Sequence, residues 1–593
     1  MKYRIFLISA RTKACLATII LLNILFLQVS AQPYLPSGKA QRFYSEIPDT
    51  AIKKIEIAIP PSGYIRNIVP GKLLVFNLDV WDKKPQAGHP SISYANYAIL
   101  RMGEKTGAYE TFFSSDTMVF KQEYLDKFDA ICFNNTAGVL FDDSVLRRNL
   151  LDFIYSGKGF IGIHAAGATF CQWPDYDQFP EYGEMLGGYE NGGHPWKANE
   201  WITVKVDDPD HPVNKAFKHE YFKVSDEVFQ FTEPYTRSRL RILLTIDTVG
   251  TDWSVNRRIL PERRADKDIA ISWVRNYGRG RVFYTSLGHN PHINWDPEIL
   301  QHYFDGILFA LGSLPVPVIP SNKLTPALKA QEKLGWRFGI SASSFKNKTL
   351  YETIDQAATL GVLYLEGSNT QKVSSDIQKD FDYNLSDYEL LQIRKKFLSS
   401  GITLVNYYVR DIPRDEETCK KLFEFGRKMG IEAFISEPQP DALDMIEKYC
   451  IKYNIKLAIH NFWEDVTCFY WDPQSILTAC KSRSPLIGAC GDFGYWIRSG
   501  MQPINAITLL KDRLITIQMH DLNEKSPHAH DVPLGDGIIK FDNIFRYLED
   551  EDLKPVLLGL EYSYNLDNPL PEIQKSIDFF NIKVQELVAS VPK

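Results

Sequence analysis

From residue 336 to residue 561 the chain repeats one pattern eight times: a short apolar run, then a helix-like or turn-rich stretch. The runs are WRFGIS (336–341), VLYLEG (362–367), TLVNYYVR (403–410), EAFISE (432–437), IKLAIH (455–460), LIGACGD (486–492), LITIQMHD (514–521) and PVLLGLE (555–561). Short apolar runs bounded by turn residues read as buried strands, and the intervening segments Ser386–Ser399 and Glu416–Met429 carry the 3.6-residue period of helices. Eight such units in about 255 residues match the count and size of a closed (β/α)8 barrel.

That fold decides where chemistry can sit. All eight strands of a parallel barrel end at one face. Six of the runs end in ionisable residues: Glu366, Glu437, His460, Asp492, His520 with Asp521, and Glu561. Several carboxylates at one mouth repel each other unless protons or a cation intervene. Two imidazoles with three or four carboxylates suit a divalent ion such as Mn²⁺, Zn²⁺, Mg²⁺ or Co²⁺. Aromatic residues flank the same ends: Tyr407, Tyr408, Phe462, Trp463, Tyr495, Trp496 and Tyr562. Such rings suit the apolar faces of a sugar, although each alone is more often packing. Arg498 could pair with a carboxylate or an anionic substrate.

Upstream, strand-like and helix-like segments alternate. LLVFNLD (73–79), a helix over 91–106, YETFFSSD (109–116), FDAICFNN (128–135), a helix over 144–156 and GFIGIHAAGAT (159–169) give an α/β domain with a mostly parallel sheet. Its strand ends carry Asn77, Asp79, Asn134, Asn135 and His164. WITVKV, RILLTI, DIAISWV and RVFYTSL follow as further strands. Four prolines within Ser313–Gly335 mark a joint. The expected order is therefore a leader (1–31), a loose lead-in (32–70), an α/β domain (71–314), a linker (315–335) and the barrel (336–593).

Residues 1–31 read as a secretory signal: Lys2, Arg4, Arg11 and Lys13, the apolar stretch Ala14–Gln28, then Val29-Ser30-Ala31 before Gln32. Its removal takes four positive charges from a net −6 and leaves about −10. That balance asks for neither nucleic acid nor an anionic membrane surface, and no stable membrane insertion is expected after cleavage. An exported and, in a Gram-negative bacterium, periplasmic protein is expected. Eight cysteines, seven after cleavage, with no C-x-x-C, make neither a disulfide framework nor a zinc ribbon. Cys132 and Cys490 lie in apolar runs and are expected in the core. Oligomeric state is not legible.

SEP (436–438), IHNFW (459–463), GDFGYWIRSG (491–500), QMHDL (518–522), DVPLGDG (531–537) and GLEY (559–562) resemble the sugar phosphate isomerase/epimerase family, the xylose isomerase-like barrels that include endonuclease IV. The resemblance implies metal ligands at His460, Asp492, His520 and Glu561, with Glu437 a further ligand or acid/base and Glu366 at a position where the family often has a carboxylate. Two departures stand out. The family's H-N-H appears as His460-Asn461-Phe462, and its D-x-G-H as Asp492-Phe493-Gly494-Tyr495. Each loses a histidine, which argues against a multinuclear site. Upstream, AGHPSISYAN (87–96), GKGFIGIHAAGAT (157–169), GGHPW (192–196), DHPV (210–213), SDEVFQF (225–231) and GRGRVFYTSLGH (278–289) resemble the trehalose-utilisation (ThuA-like) family. Its fold is similar to class I glutamine amidotransferases, a flavodoxin-like arrangement. The amidotransferase nucleophile would be a cysteine on the turn after GFIGI; His164 stands there and Cys171 lies seven residues on, so thiolate chemistry is not supported. His89, His164, His194, His289, Asp226 and Glu227 form either a polyol or sugar pocket, with or without metal, or a structural set around a vestigial pocket.

Together these imply an exported carbohydrate enzyme. A divalent ion would polarise a sugar carbonyl, and Glu437 or Glu561 would move a proton through an enediolate, with Glu366, Trp463, Tyr495, Trp496 and Arg498 about the substrate. A lyase or hydrolase of 3-keto-glycosides and a non-catalytic carbohydrate binder built from degenerate enzyme domains are the alternatives.

Overall fold

The computed structural model describes residues 32–61, 69–172, 178–191, 193–254, 259–463 and 468–590; the expected leader lies outside them.

The first domain is built on one ten-stranded sheet. Its strands are β1 (Leu35–Pro36), β2 (Gly71–Phe76), β3 (Tyr109–Ser114), β4 (Ala130–Asn134), β5 (Gly159–Ile163), β6 (Trp201–Val206), β7 (Tyr221–Ser225), β8 (Arg241–Ile246), β9 (Ala270–Tyr277) and β10 (Gly280–Thr285). They lie in the order β1-β3-β2-β4-β5-β10-β9-β8-β6-β7. The run β3-β2-β4-β5-β10 is parallel, because helices Ile92–Thr106 and Ser144–Tyr155 supply the crossovers. Beyond β10 every pairing is antiparallel, so the sheet is mixed rather than mostly parallel. The tight turn between Tyr277 and Gly280 allows no crossover and forces the reversal. At the parallel strand ends, side-chain amides form a chain: Asn96 donates to Asn77 (3.0 Å), Asn134 to Asn96 (2.9 Å) and Asn135 to Asn134 (2.9 Å). That chain ties the ends of β2 and β4 to helix Ile92–Thr106. Cys132 is buried in the core, as expected.

Three helices interrupt segments expected to be irregular or extended. Asp49–Ala58 lies in the lead-in and buries Ala51, Ile55 and Ala58, one face at helical spacing. Pro326–Leu334 lies in the linker, where Thr325 caps its N-terminus, proline takes the first helical position and Gly335 (φ 70°) ends it. Pro297–Leu311 is apolar along most of its length and buried on nearly every side.

The second domain is a closed barrel of eight parallel strands. They are β11 (Phe338–Ser341), β12 (Tyr364–Ser368), β13 (Thr403–Tyr408), β14 (Ala433–Ser436), β15 (Lys456–His460), β16 (Ile487–Asp492), β17 (Leu514–Met519) and β18 (Leu558–Leu560). Each falls inside or within one residue of its expected run. Capping boxes at Thr349/Glu352 and Ser386/Glu389 start two of the surrounding helices. Across the two domains, the buried Arg394 guanidinium meets Asp152 at 2.6 Å and lies over the Tyr155 ring.

Candidate functional site

At the carboxyl end of the barrel the strand-terminal side chains meet. Asp492 closes β16 and is nearly fully buried. Its Oδ1 accepts from Tyr495 N (2.7 Å), capping helix Phe493–Arg498. Its Oδ2 is thereby left facing two imidazoles: His520 Nε2 at 3.2 Å and His460 Nε2 at 3.6 Å. Asn461 ties the neighbouring strand end to the same residue, accepting from Asp492 N (2.7 Å) and donating to Asp492 O (3.0 Å). Asp492, His520 and Glu561 each offer a donor atom within 4.8 Å of the others; His460 reaches this group through Asp492.

Both rings are held from behind. His460 Nδ1 lies 2.9 Å from Glu437 Oε1, which also accepts from the Tyr408 hydroxyl (3.1 Å). His520 Nδ1 lies 2.9 Å from Asp531 Oδ1, and Asp531 Oδ2 accepts from Ser563 N (2.8 Å). A carboxylate on the far nitrogen fixes the ring and makes the near nitrogen more basic. His520 Nε2 is buried and faces Asp492 Oδ2 at 3.2 Å without the alignment of a well-formed hydrogen bond. Although burial opposes charge, Asp492 and Glu437 hold His460 protonated up to about 10 in the absence of a cation. Asp492 and Asp531 likewise raise His520 well above an ordinary histidine. Asp492 itself is lowered, its burial outweighed by the two imidazoles. The site thus favours about two positive charges, which a divalent ion would supply as well as two protons; the donor set fits such an ion.

Glu366, on β12, lies deeper. Its Oε1 accepts from Gln518 Nε2 (2.7 Å) and Ser341 Oγ (3.0 Å), while Oε2 is buried and unpaired. Burial, then the charge of Glu561, pushes its carboxyl up to about 7. Glu561 is also raised, chiefly by burial. Glu366 is therefore a carboxyl group whose environment keeps a proton available near neutral pH.

Several expected residues serve other purposes. Glu437 is engaged by His460 Nδ1 at 2.9 Å, on the side of the ring away from Asp492. Trp496 is fully buried in the barrel core, packed on Phe493 and over Gly491, so it cannot touch a substrate at the mouth. Tyr407 and Tyr562 are core as well. Arg498 donates to Ala529 O and lies 3.8 Å from Asp531, supporting the loop behind His520. A Cβ on Gly494 would come within 3.0 Å of His520 and 2.8 Å of Arg498, so only glycine lets that helix pass so close. Asp521 accepts from the backbone of Leu522, Gly535, Gly537 and Ile539 and organises a loop. At the mouth itself Tyr495 contacts Phe462 (ring centroids 4.5 Å) and Trp463 (5.9 Å), and Trp463 is 46 % exposed. Phe462 and Tyr495 stand where the family pattern has histidines, so an aromatic pair fills that space.

Asp531, Gln518 and Asn461 lay within motifs quoted from the sequence but were given no role there, and Ser341 was not singled out. Asp531 is eleven residues past His520, and the small hairpin pairing Asp521–Leu522 with Asp531–Val532 folds it back. No local spacing signals that return.

In the first domain a second cluster forms. His164 ends β5 in the left-handed region (φ 47°), with Nδ1 donating to Ser286 O (2.7 Å). Its Nε2 lies 3.3 Å from His289 Nδ1. Glu227 Oε1 is 3.0 Å from His194 Nδ1 and 3.3 Å from His289 Nδ1. His89 stands edge-on to His164 and His289. Burial first, and then the neighbouring imidazoles, push His164 well down and His89 down to about 4. Asp226, expected in this pocket, instead accepts from the backbone of Gly288 (2.7 Å), His289 and Asn290 (2.8 Å), shaping the loop that presents His289.

With this geometry in place, the comparisons place the chain in a class. Residues 77–310 match the trehalose-utilisation (ThuA) family, and residues 354–583 match the xylose isomerase-like TIM barrels. The chain joins a ThuA domain to a xylose isomerase-like TIM-barrel domain. Among solved structures it is similar to an uncharacterized protein from Parabacteroides distasonis (29 % identity, 41 % of this chain and 98 % of that one, TM-score 0.35). It is also similar to a ThuA-like protein from Bacteroides uniformis (18 %, 42 % and 95 %, TM-score 0.32) and to a D-tagatose 3-epimerase-like protein (15 %, 42 % and 99 %, TM-score 0.34). No curated protein matches the chain significantly. Among the described residues no helix is long and apolar enough to cross a membrane.

Proposed function

We propose that the barrel mouth is a metal-dependent isomerase- or epimerase-type active site acting on a sugar or keto-sugar, in a protein exported by its leader to the periplasm. The observation that carries this reading is the convergence of Asp492 Oδ2 with His460 and His520, whose far nitrogens are each taken by a carboxylate. His460, Asp492, His520 and Glu561 would hold the ion (Mn²⁺, Zn²⁺, Mg²⁺ or Co²⁺). When bound, it supplies a Lewis acid for two adjacent sugar oxygens. The chain's own residues do the rest. Glu561, ionised, takes the proton from the carbon beside the carbonyl, and Glu366, protonated near neutral pH, returns one. Glu437 and Asp531 hold the imidazoles and move no proton to substrate. Phe462, Trp463 and Tyr495 cover an apolar ring face and exclude water.

The same proton abstraction opens β-elimination. The exposed Trp463 beside the mouth supports a second sugar ring there, which favours a keto-glycoside lyase or hydrolase as the variant of this reading. Asp492→Ala and His520→Ala are expected to lose the barrel's metal and turnover of keto-sugars and oxidised disaccharides together. Turnover that survives either change removes the proposal.

A further inference from the structure

We propose that the first domain carries its own divalent-metal centre, held by His89, His164, His289 and Glu227 and selective for an imidazole-preferring ion, Zn²⁺ before Mg²⁺ or Ca²⁺. It involves residues of the ThuA domain alone and stands whether or not the barrel reading does.

Four donor atoms, one from each residue, lie within 4.8 Å of one another. They come from distant parts of the chain: the loop after Gly88, the end of β5, the segment after β7, and the loop after β10. His164 donates its Nδ1 proton to Ser286 O, so in the neutral ring its Nε2 presents a lone pair. That lone pair points at His289 Nδ1 (3.3 Å) and Glu227 Oε1 (3.9 Å). His89 Nδ1 is buried and makes no hydrogen bond. A proton on His289 Nδ1 can serve only one of the two acceptors, His164 Nε2 and Glu227 Oε1, at a time, whereas a cation would serve both and His89 Nδ1 as well. The supports behind the cluster have the form that orients metal ligands: a carbonyl on His164, and His194 on Glu227 at 3.0 Å. His164 also holds a left-handed backbone that glycine would adopt without strain. An imidazole kept there at that cost indicates use. Three nitrogens and one oxygen suit zinc, whereas magnesium and calcium prefer all-oxygen sets. His194 (32 % exposed) and His289 (22 %) leave one side of the cluster open, so water or a substrate oxygen can complete the coordination.

The test counts zinc on the full chain after equilibration with Zn²⁺ and gel filtration. Wild type is expected to retain two equivalents, and His289→Ala and Glu227→Gln one fewer. Asp492→Ala is expected to lose the other equivalent. A chain carrying both His289→Ala and Asp492→Ala is expected to hold none. His194→Ala should weaken zinc binding at this centre roughly 10–100-fold, the usual effect of losing an outer partner. Because cluster variants could misfold, the decisive measurement is made on Asp492→Ala, whose first domain is unaltered. Loaded with Co²⁺, it should show the visible d–d bands of a nitrogen-rich site. Loss of all metal from Asp492→Ala, or zinc content unchanged in folded His289→Ala and Glu227→Gln, overturns the proposal. Metal lost only with the cluster variants supports this centre and refutes the barrel reading instead.

Discussion

Replacing Glu366 by Gln tests the least obvious feature of the barrel site, a buried carboxyl that keeps its proton near neutral pH. Gln preserves an acceptor for Ser341 and Gln518 and places an amide where Oε2 is unpaired. Burial and the Glu561 charge raise the folded-state value from 4.5 to about 7. Below 4.5 the folded and unfolded chains are both protonated. Between 4.5 and about 7 the folded chain holds a proton that the unfolded chain has released, so stability falls as pH rises through this window. A window of that width is worth about 3 kcal/mol. The metal-free Glu366→Gln chain should therefore gain stability over wild type as pH rises, by about 3 kcal/mol in total, with a plateau above the folded-state value. Urea unfolding of the chelator-treated proteins, followed by tryptophan fluorescence across that window, gives the difference directly. A Glu561→Gln background should narrow the window, because it removes the second cause. A difference between Gln and Glu that stays flat with pH would show Glu366 ionised throughout and end its role as proton donor.

Other outcomes follow from the same contacts. Metal binding at the barrel should release close to two protons near neutral pH, since His460 and His520 are protonated in its absence; titration calorimetry in buffers of different ionisation enthalpy counts them. Asp531→Asn should weaken barrel metal binding roughly 10–100-fold while leaving the circular dichroism spectrum unchanged, because it loosens His520 without touching the ion. Trp496→Ala should cost about 3–5 kcal/mol of barrel stability, whereas Trp463→Ala should cost under about 1 kcal/mol and act on KM for glycosides, a contrast that denaturation and kinetics together measure.

Regular structure was largely legible in the linear chain. The eight barrel strands could be placed because each is a short apolar run between turn residues, and the period-3.6 helices between them forced parallel pairing. The same logic placed His460, Asp492, His520 and Glu561 at one rim. Helix Asp49–Ala58 was equally readable from Ala51, Ile55 and Ala58, and helix Pro326–Leu334 from its caps; proline content obscured both. Helix Pro297–Leu311 was less so, because its largely apolar sequence leaves little polar face to set its period against.

Which side chain does what required the folded molecule. Strand position put Glu437 at the rim, but only the rotamers show it behind His460, and only a hairpin brings Asp531 to His520. Trp496 and Trp463 look alike as letters near a mouth, and packing sends one into the core and the other to solvent. The first-domain set was named from a family resemblance and not from spacing, since its four residues span two hundred positions with no common period; the folded chain decides which atoms meet and turns Asp226 to the backbone instead. Periodicity records which face of an element is apolar. The direction of a polar side chain is set by partners remote in sequence, and those exist only once the chain has closed on itself.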